Sequence, residues 1–314
     1  MATGFRVTLL ETGTPIPGPD RFGPSTLIEA GDHTVLIDAG RGATMRLFQL
    51  GIPIGRIDAL LLTHFHSDHT VGIPDLWLTG WLSSHFGNRQ RPFNVVGPVG
   101  TKTLVHHLEA AYAHDIQIRV EDEKLTRDHA AITVEEFTED GIVYQAGDLR
   151  VTAFTVDHGD AIKPAYGYSI EHQGRVAVIS GDTRYNANVL RFGQDADLLV
   201  HEVAMARPEL LGEAHIQRIV SHHTSPQDAG RIFARAKPKL AAFTHLVMLA
   251  SETVTAPTVD DLIAATRETY TGPLVVGEDL MSFEIGETVT MRRICEADLA
   301  SLRLAGATIP NSAR

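Results

Sequence analysis

The sequence predicts an α/β protein with helices packed on the faces of its sheet. Apolar runs of strand length alternate with helix-length stretches along most of the 314 residues. Histidines and aspartates recur just past the ends of several of those runs, where α/β proteins place their binding crevices. A hydrophobic content of 43% with 21% charged residues is that of an ordinary globular chain with a large core.

Taken in chain order, the run Phe5-Arg6-Val7-Thr8-Leu9-Leu10 reads as the first strand, followed by strands at 26–30 and 34–38. A helix is expected at 41–50, a strand at 57–62 and a helix at 73–84. Trp77 and Trp81 lie four apart on that helix, hence on one face, placed to fill the core or to wall an aromatic pocket. Strand 93–96 precedes a helix at 101–114. Residues 115–147 carry much charge and little periodicity, and read as an insertion or an oligomer contact. Strands resume at 151–156, 166–171 and 175–180, then helix 185–192 and strand 197–201. Helix 225–236 opens with Ser225-Pro226, since proline is tolerated in a first turn. Strand 240–244, helix 258–270 and strand 273–276 complete the series. The Gly/Pro-rich loop 12–24 and the tail 297–314 are the weakest-ordered parts, and residues 1–314 are expected to form one domain.

The chemistry is concentrated in Thr63-His64-Phe65-His66-Ser67-Asp68-His69, directly after the apolar run 57–62. Imidazole nitrogens and carboxylate oxygens are the ligand set for zinc and similar divalent ions. The chain has 16 His, yet His-x-His-x-Asp-His arises by chance only on the order of a few times per thousand such chains. His64 and His66 fall on the same side of an extended segment, whereas Asp68 and His69 lie beyond a bend and can serve a second ion. His158 follows the strand ending at Val156, Asp182 the strand ending at Ser180, and His245 the strand ending at Thr244. A workable assignment puts His64, His66 and His158 on one metal and Asp68, His69 and His245 on the other, with Asp182 between them. Two such ions can share a water and hold it as hydroxide. Zinc is expected, though manganese, iron or cobalt also suit these ligands.

The formal charge of -12 weighs against nucleic acid as a partner, because phosphate backbones need basic surface. With one cysteine, Cys295, an intramolecular disulfide and a cysteine-based metal site are excluded. No apolar stretch approaches a membrane span and no signal peptide is visible, so the cytoplasm is the expected location. Glu202 emerges at a strand end, where it could orient a ligand histidine through its other nitrogen. Arg184, near Asp182, is the local candidate for holding an anionic leaving group. Arg231, Arg235, Lys237 and Lys239 read as a solvated helix end.

These residues resemble the metallo-β-lactamase superfamily, whose pattern is His-x-His-x-Asp-His followed by a His, an Asp and a final His. The match runs from about Thr8 to about Leu280 and fills all seven positions. The resemblance implies an αββα sandwich, two mixed β-sheets face to face with helices outside and metals at one edge. Gly13-Thr14-Pro15, Leu36-Ile37-Asp38-Ala39-Gly40 and His223-Thr224-Ser225 look like the RNase Z-like group. There, Asp38 would accept backbone hydrogen bonds and brace the metal loop. The same likeness makes His223 an acid or oxyanion stabiliser, beside a structural His222, and implies a homodimer.

Only 23 residues separate His158 from Asp182, too few for the arm with which tRNA-processing RNase Z enzymes grip their substrate. Gly72 to Trp81, and His223-Thr224-Ser225-Pro226 before Ala229 to Phe233, look like bacterial zinc arylsulfatases instead. The expectation is therefore a hydrolase of small aryl sulfate esters, in which Asp68 orients a bridging hydroxide or takes its proton. A phosphodiesterase and a lactone or carboxylic ester hydrolase share that chemistry. A metal-stabilised binding protein without turnover is the reading of another class.

Overall fold

Among residues 4–293, which the computed structural model describes, fifteen strands form two sheets. Cys295 and the tail 297–314 lie outside the described residues. In chain order the strands are β1 (Phe5–Glu11), β2 (Ser25–Ala30), β3 (His33–Ile37), β4 (Ala59–Leu61), β5 (Phe93–Pro98), β6 (Ile132–Phe137), β7 (Gly141–Ala146) and β8 (Leu149–Thr155). Then come β9 (Tyr166–His172), β10 (Arg175–Ile179), β11 (Leu198–Ala206), β12 (Leu240–Leu249), β13 (Leu274–Val276), β14 (Met281–Ile285) and β15 (Val289–Arg292). One sheet has the order β15-β14-β1-β2-β3-β4-β5-β6, the other β13-β12-β11-β10-β9-β8-β7. Both are mixed: β3 to β6 run parallel and so do β10 to β13, while hairpin partners such as β1–β2 and β8–β9 are antiparallel.

The two-residue period of a strand explains the layers. Leu9 and Leu61 point between the sheets, while their neighbours Leu10 and Leu60 point the other way. Between the sheets Val7, Ile28, Val35 and Phe283 meet Val151, Tyr168, Ile170 and Val200, all fully buried. Each such side chain contributes on the order of 1.5–3 kcal/mol by leaving water. The outer face of the first sheet is covered by α1 (Ala43–Gln49), α3 (Ile73–Trp81), α4 (Thr101–Asp122) and α5 (Arg127–Ala130); α2 (Ser67–Thr70) is a single turn. The outer face of the second is covered by α6 (Ala187–Phe192), α8 (Pro226–Ala236) and α9 (Val259–Arg267), while α7 (Ala214–Val220) packs near β11. This is the expected αββα order. Among the described residues no helix is long and apolar enough to cross a membrane.

Several elements depart from the sequence expectation, among them β14, β15 and α7, which it does not include, and β11, which runs on to Ala206. Helix α4 runs to Asp122 rather than ending at 114, because Arg119 pairs with Asp115 and Glu123 one turn to either side. Charge there supports the helix without leaving an apolar period to read. The rest of the stretch 115–147 contains α5 and supplies an edge strand to each sheet, β6 and β7. Strand β12 does not stop at Thr244. It passes through a bulge in which Glu202 pairs with Thr244 and Val203 with Leu246, leaving His245 as the extra residue with φ 44°.

Candidate metal centre

The ends of β3, β4, β8, β10, β11 and β12 meet at one edge of the sandwich, and all seven candidate ligands meet there. His64 and His66 stand on the loop after β4, and the bend beyond them is α2, which carries Asp68 and His69. His158 follows β8. Asp182 follows β10 through a turn at Gly181 (φ 61°), where a Cβ would approach the carbonyl oxygen of Tyr166 at 2.3 Å. His245 is aimed by the bulge in β12.

The seven fall into two sets that share Asp182. In the first, His64 Nε2 lies 3.0 Å from His66 Nδ1, which lies 3.2 Å from His158 Nε2. Asp182 Oδ2 is 3.9 Å from His64 Nε2 and 3.7 Å from His158 Nε2. In the second, Asp68 Oδ2 is 3.3 Å from His245 Nε2 and 3.7 Å from His69 Nε2. Asp182 Oδ2 lies 3.3 Å from each of those two nitrogens.

The hydrogen bonds on the far sides of the rings show what belongs in the middle. Asp38 accepts from Thr63 N at 2.8 Å on one oxygen, and on the other from Thr63 Oγ1 and His69 Nδ1, both at 2.7 Å. Thr63 Oγ1, having donated to Asp38, accepts from His64 Nδ1 at 3.0 Å. His158 Nδ1 donates to the carbonyl of His222 at 3.0 Å. With each Nδ1 proton spent in this way, the Nε2 atoms of His64, His69 and His158 turn lone pairs toward the carboxylate of Asp182. Buried His69 Nε2 has no hydrogen-bond partner at all. Lone pairs facing carboxylate oxygens repel unless positive charge lies between them. Tetrahedral zinc, with bonds of about 2.0–2.1 Å, holds its ligand atoms about 3.3–3.4 Å apart, close to the spacings here. The residues therefore fit two divalent ions, one in each set.

Electrostatics divide the rings: burial favours neutral His64 and His158, whereas the carboxylates around His69 favour a proton there that a bound cation would displace. Burial, with His69 alongside, holds the His64 pKa well below its ordinary value, and burial takes His158 down to about 4. Burial would lower His69 too, but Asp182 and Asp38 raise it well above the usual range. Against its own burial, Asp182 is held well below the carboxylate range by His245 and His69.

One further histidine stands at the rim. Imidazole and carboxylate atoms of His223, Asp182 and His245 lie within 4.8 Å of one another. Glu202, fully buried, accepts from Thr224 N at 2.9 Å and Thr183 N at 3.3 Å, and its Oε2 sits 3.0 Å from His223 Nδ1. Burial works against a charged ring, yet Glu202 pushes the His223 pKa up to about 9. Glu202 thus orients a histidine, but the histidine is His223 rather than one of the seven.

Other expectations shift. Arg184 spends its guanidinium on Asp157 at 2.7 Å and Asp160 at 3.6 Å, so the centre has no claim on it. Its backbone N–H also donates to Asp157 O, tying the His158 loop to the Asp182 loop. Trp77 and Trp81 are core, with indole N–H groups donating to Ala130 O and Thr126 O. His222 acts through its backbone carbonyl, a role no side-chain pattern signals. Thr63 has a role the motif alone does not signal, although its place between Asp38 and His64 is local and next to it.

A family model described as the beta-lactamase superfamily domain matches residues 33–246. Ribonuclease Z of Mycolicibacterium gilvum is 34% identical over 284 residues, 90% of this chain and 96% of its own. Two solved structures superpose over 90% of this chain and 99% of theirs. The metallo-beta-lactamase fold protein YhfI of Bacillus subtilis does so with a TM-score of 0.69 at 21% identity. The short form of human tRNase Z does so with a TM-score of 0.65 at 22% identity. At such identities the structures speak for the fold alone.

The ribonuclease Z likeness overturns the expectation of a small aryl sulfate ester as substrate, and with it the weighing against nucleic acid. In the run from Gly72 to Trp81 both tryptophans are buried and donate to carbonyls at α5, so they serve the core. The short connector before Asp182 misled because M. gilvum ribonuclease Z is matched over nearly all of its length by a chain of this size. Net charge sums the whole surface, so it says little about what one edge of the sandwich can meet.

Proposed function

This chain belongs to the metallo-β-lactamase superfamily, in its RNase Z-like branch, and from that premise we propose that it is a metal-dependent phosphodiesterase that hydrolyses RNA. The observation that carries the reading is the end-to-end likeness to ribonuclease Z. The seven residues at the sheet edge support it, because they offer what phosphodiester hydrolysis requires.

His64, His66 and His158 hold one ion in this reading and Asp68, His69 and His245 the other, with Asp182 facing both. Bound divalent ions would supply Lewis acidity for the phosphoryl oxygens and a water of lowered pKa. The chain's own part is positional and acid–base. Asp38, Thr63 and the His222 carbonyl fix the tautomers so that lone pairs, not protons, face inward. Asp68, whose Oδ2 lies 3.3 Å from His245 Nε2, is placed where it can orient an attacking water. His223, kept protonated by Glu202, is the group with a proton to give to the leaving oxygen or to stabilise charge on the phosphoryl group.

The test is a matched set of substrates on metal-replete protein: a structured RNA with a single-stranded 3′ extension, an unstructured oligoribonucleotide, bis-p-nitrophenyl phosphate and p-nitrophenyl sulfate. We expect both RNA cleavage and diester hydrolysis, with kcat/KM for the sulfate far below that for the diester. Turnover of the diester with both RNAs left intact would sink the ribonuclease reading and leave a small-phosphodiester hydrolase.

A further inference from the structure

Each buried ligand histidine but one has a protein partner for the ring nitrogen that faces away from the centre. His64 has Thr63, His69 has Asp38 and His158 has the His222 carbonyl. His245, only 3% exposed, has none: its Nδ1 is buried without a hydrogen bond. An unpaired buried ring nitrogen is costly. It also leaves the tautomer of His245 unset, although Nε2 must offer a lone pair if it is to ligate.

His245 lines a cavity of about 20 Å³ between the sheets, on the core side of the centre. That is room for one water molecule and for little else. The ligands His69 and Asp182 share the lining, and beside them stand Ser25, Thr26, Asp38, Glu202 and Thr244. Most of these groups are already committed. Asp38 is occupied by Thr63 and His69, Glu202 by Thr183, Thr224 and His223, and Ser25 Oγ donates to Asp38 O at 2.9 Å. The hydroxyls of Thr26 and Thr244 are left as partners for a small ligand. A cation cannot answer His245 Nδ1–H, which needs an acceptor.

We infer that this cavity holds a single water molecule that accepts from His245 Nδ1 and bonds to the hydroxyls of Thr26 and Thr244, so fixing the ring with Nε2 toward Asp68 and Asp182. The water does for His245 what Asp38 does for His69. Thr26 and Thr244 are then positioning residues, acting on the centre through a solvent molecule.

Two arms test this. The first is a crystal structure of the wild-type protein, metal-free and metal-loaded, at a resolution that resolves ordered water. We expect density in the cavity within hydrogen-bond distance of His245 Nδ1 in both forms. A dry cavity, or a rotated ring whose Nδ1 meets a protein group, would overturn the inference. The second arm compares metal affinity, by chelator competition, in wild type and Thr26→Val/Thr244→Val, with the thermal midpoint of the metal-free variant as the check on folding. We expect one of two ions to bind about 10–100-fold more weakly, as for other losses of a ligand's outer partner. Unchanged affinity in a folded variant would overturn the positioning role. The second arm rests on the metal reading under Proposed function, but the first does not. A protein that binds no metal yet shows the water would refute that reading and leave the site standing.

Discussion

The loop at 63–70 and the strand ends of the second half deliver ligands to the same centre by different means. On the loop, four ligands lie within six residues, and a single acid, Asp38, braces the loop by binding Thr63 and His69 together. In the second half, His158, Asp182 and His245 are tens of residues apart. They are placed by backbone devices: the carbonyl of His222, the positive-φ turn at Gly181 and the bulge at His245. The first arrangement is vulnerable to one side-chain change. The second is insensitive to most of them, but depends on sheet register.

Asp182 belongs to both arrangements, so Asp182→Ala should have the largest effect. We expect it to lose both ions and all RNA hydrolysis, whereas His158→Ala loses one ion and keeps the other. Metal content after dialysis separates the two outcomes. Retention of two ions by Asp182→Ala would dissolve the idea of a shared residue.

His223 comes next, since it serves the reaction without belonging to either set. Replacing it by glutamine should cost about 10²–10³ in kcat while metal content is kept. Its titration can be followed in metal-free protein. The folded-state pKa is raised from 6.5 to about 9, so the Glu202–His223 pair contributes stability that is fully present below pH 6.5 and is lost as pH rises through about 9. Glu202→Gln should erase that alkaline loss in a pH series of unfolding midpoints. Added metal ions should move the His223 pKa downward by repulsion, which NMR of the ring would register.

Asp38→Asn strikes the brace of the first arrangement, and should weaken metal binding about 10–100-fold. Arg184→Ala strikes a side-chain tie of the second. With Arg184 38% exposed, its pair with Asp157 is screened, and we expect less than about 1 kcal/mol in stability and a smaller loss of metal affinity than for Asp38→Asn. Equal losses from the two would end the contrast. A many-fold rise in KM for RNA on Arg184→Ala would restore that residue as a substrate contact.

The same contrast explains what could be read from the chain alone. The cluster 64–69 is legible because its ligands are neighbours in sequence, and the remaining three because each follows an apolar run. The layering of two sheets was not legible from pattern, since strand pairing such as β1 with β14 joins residues some 270 positions apart. The pattern ends the strand at Thr244 because the bulge at His245 shifts the alternation by one, so the residues beyond it fall out of phase. Glu202 could be noticed but not paired, because His223 lies 21 residues away across a turn and a helix. The substrate class is not legible from global charge, which averages the surface, nor from Trp77 and Trp81, which are core.

The most direct test of the central claim is a titration of metal-free protein with zinc, reading RNA cleavage at each addition. The account expects no cleavage without metal, and activity that rises to a plateau at two ions per chain. A plateau at one ion, or RNA left uncut at saturation, would contradict it.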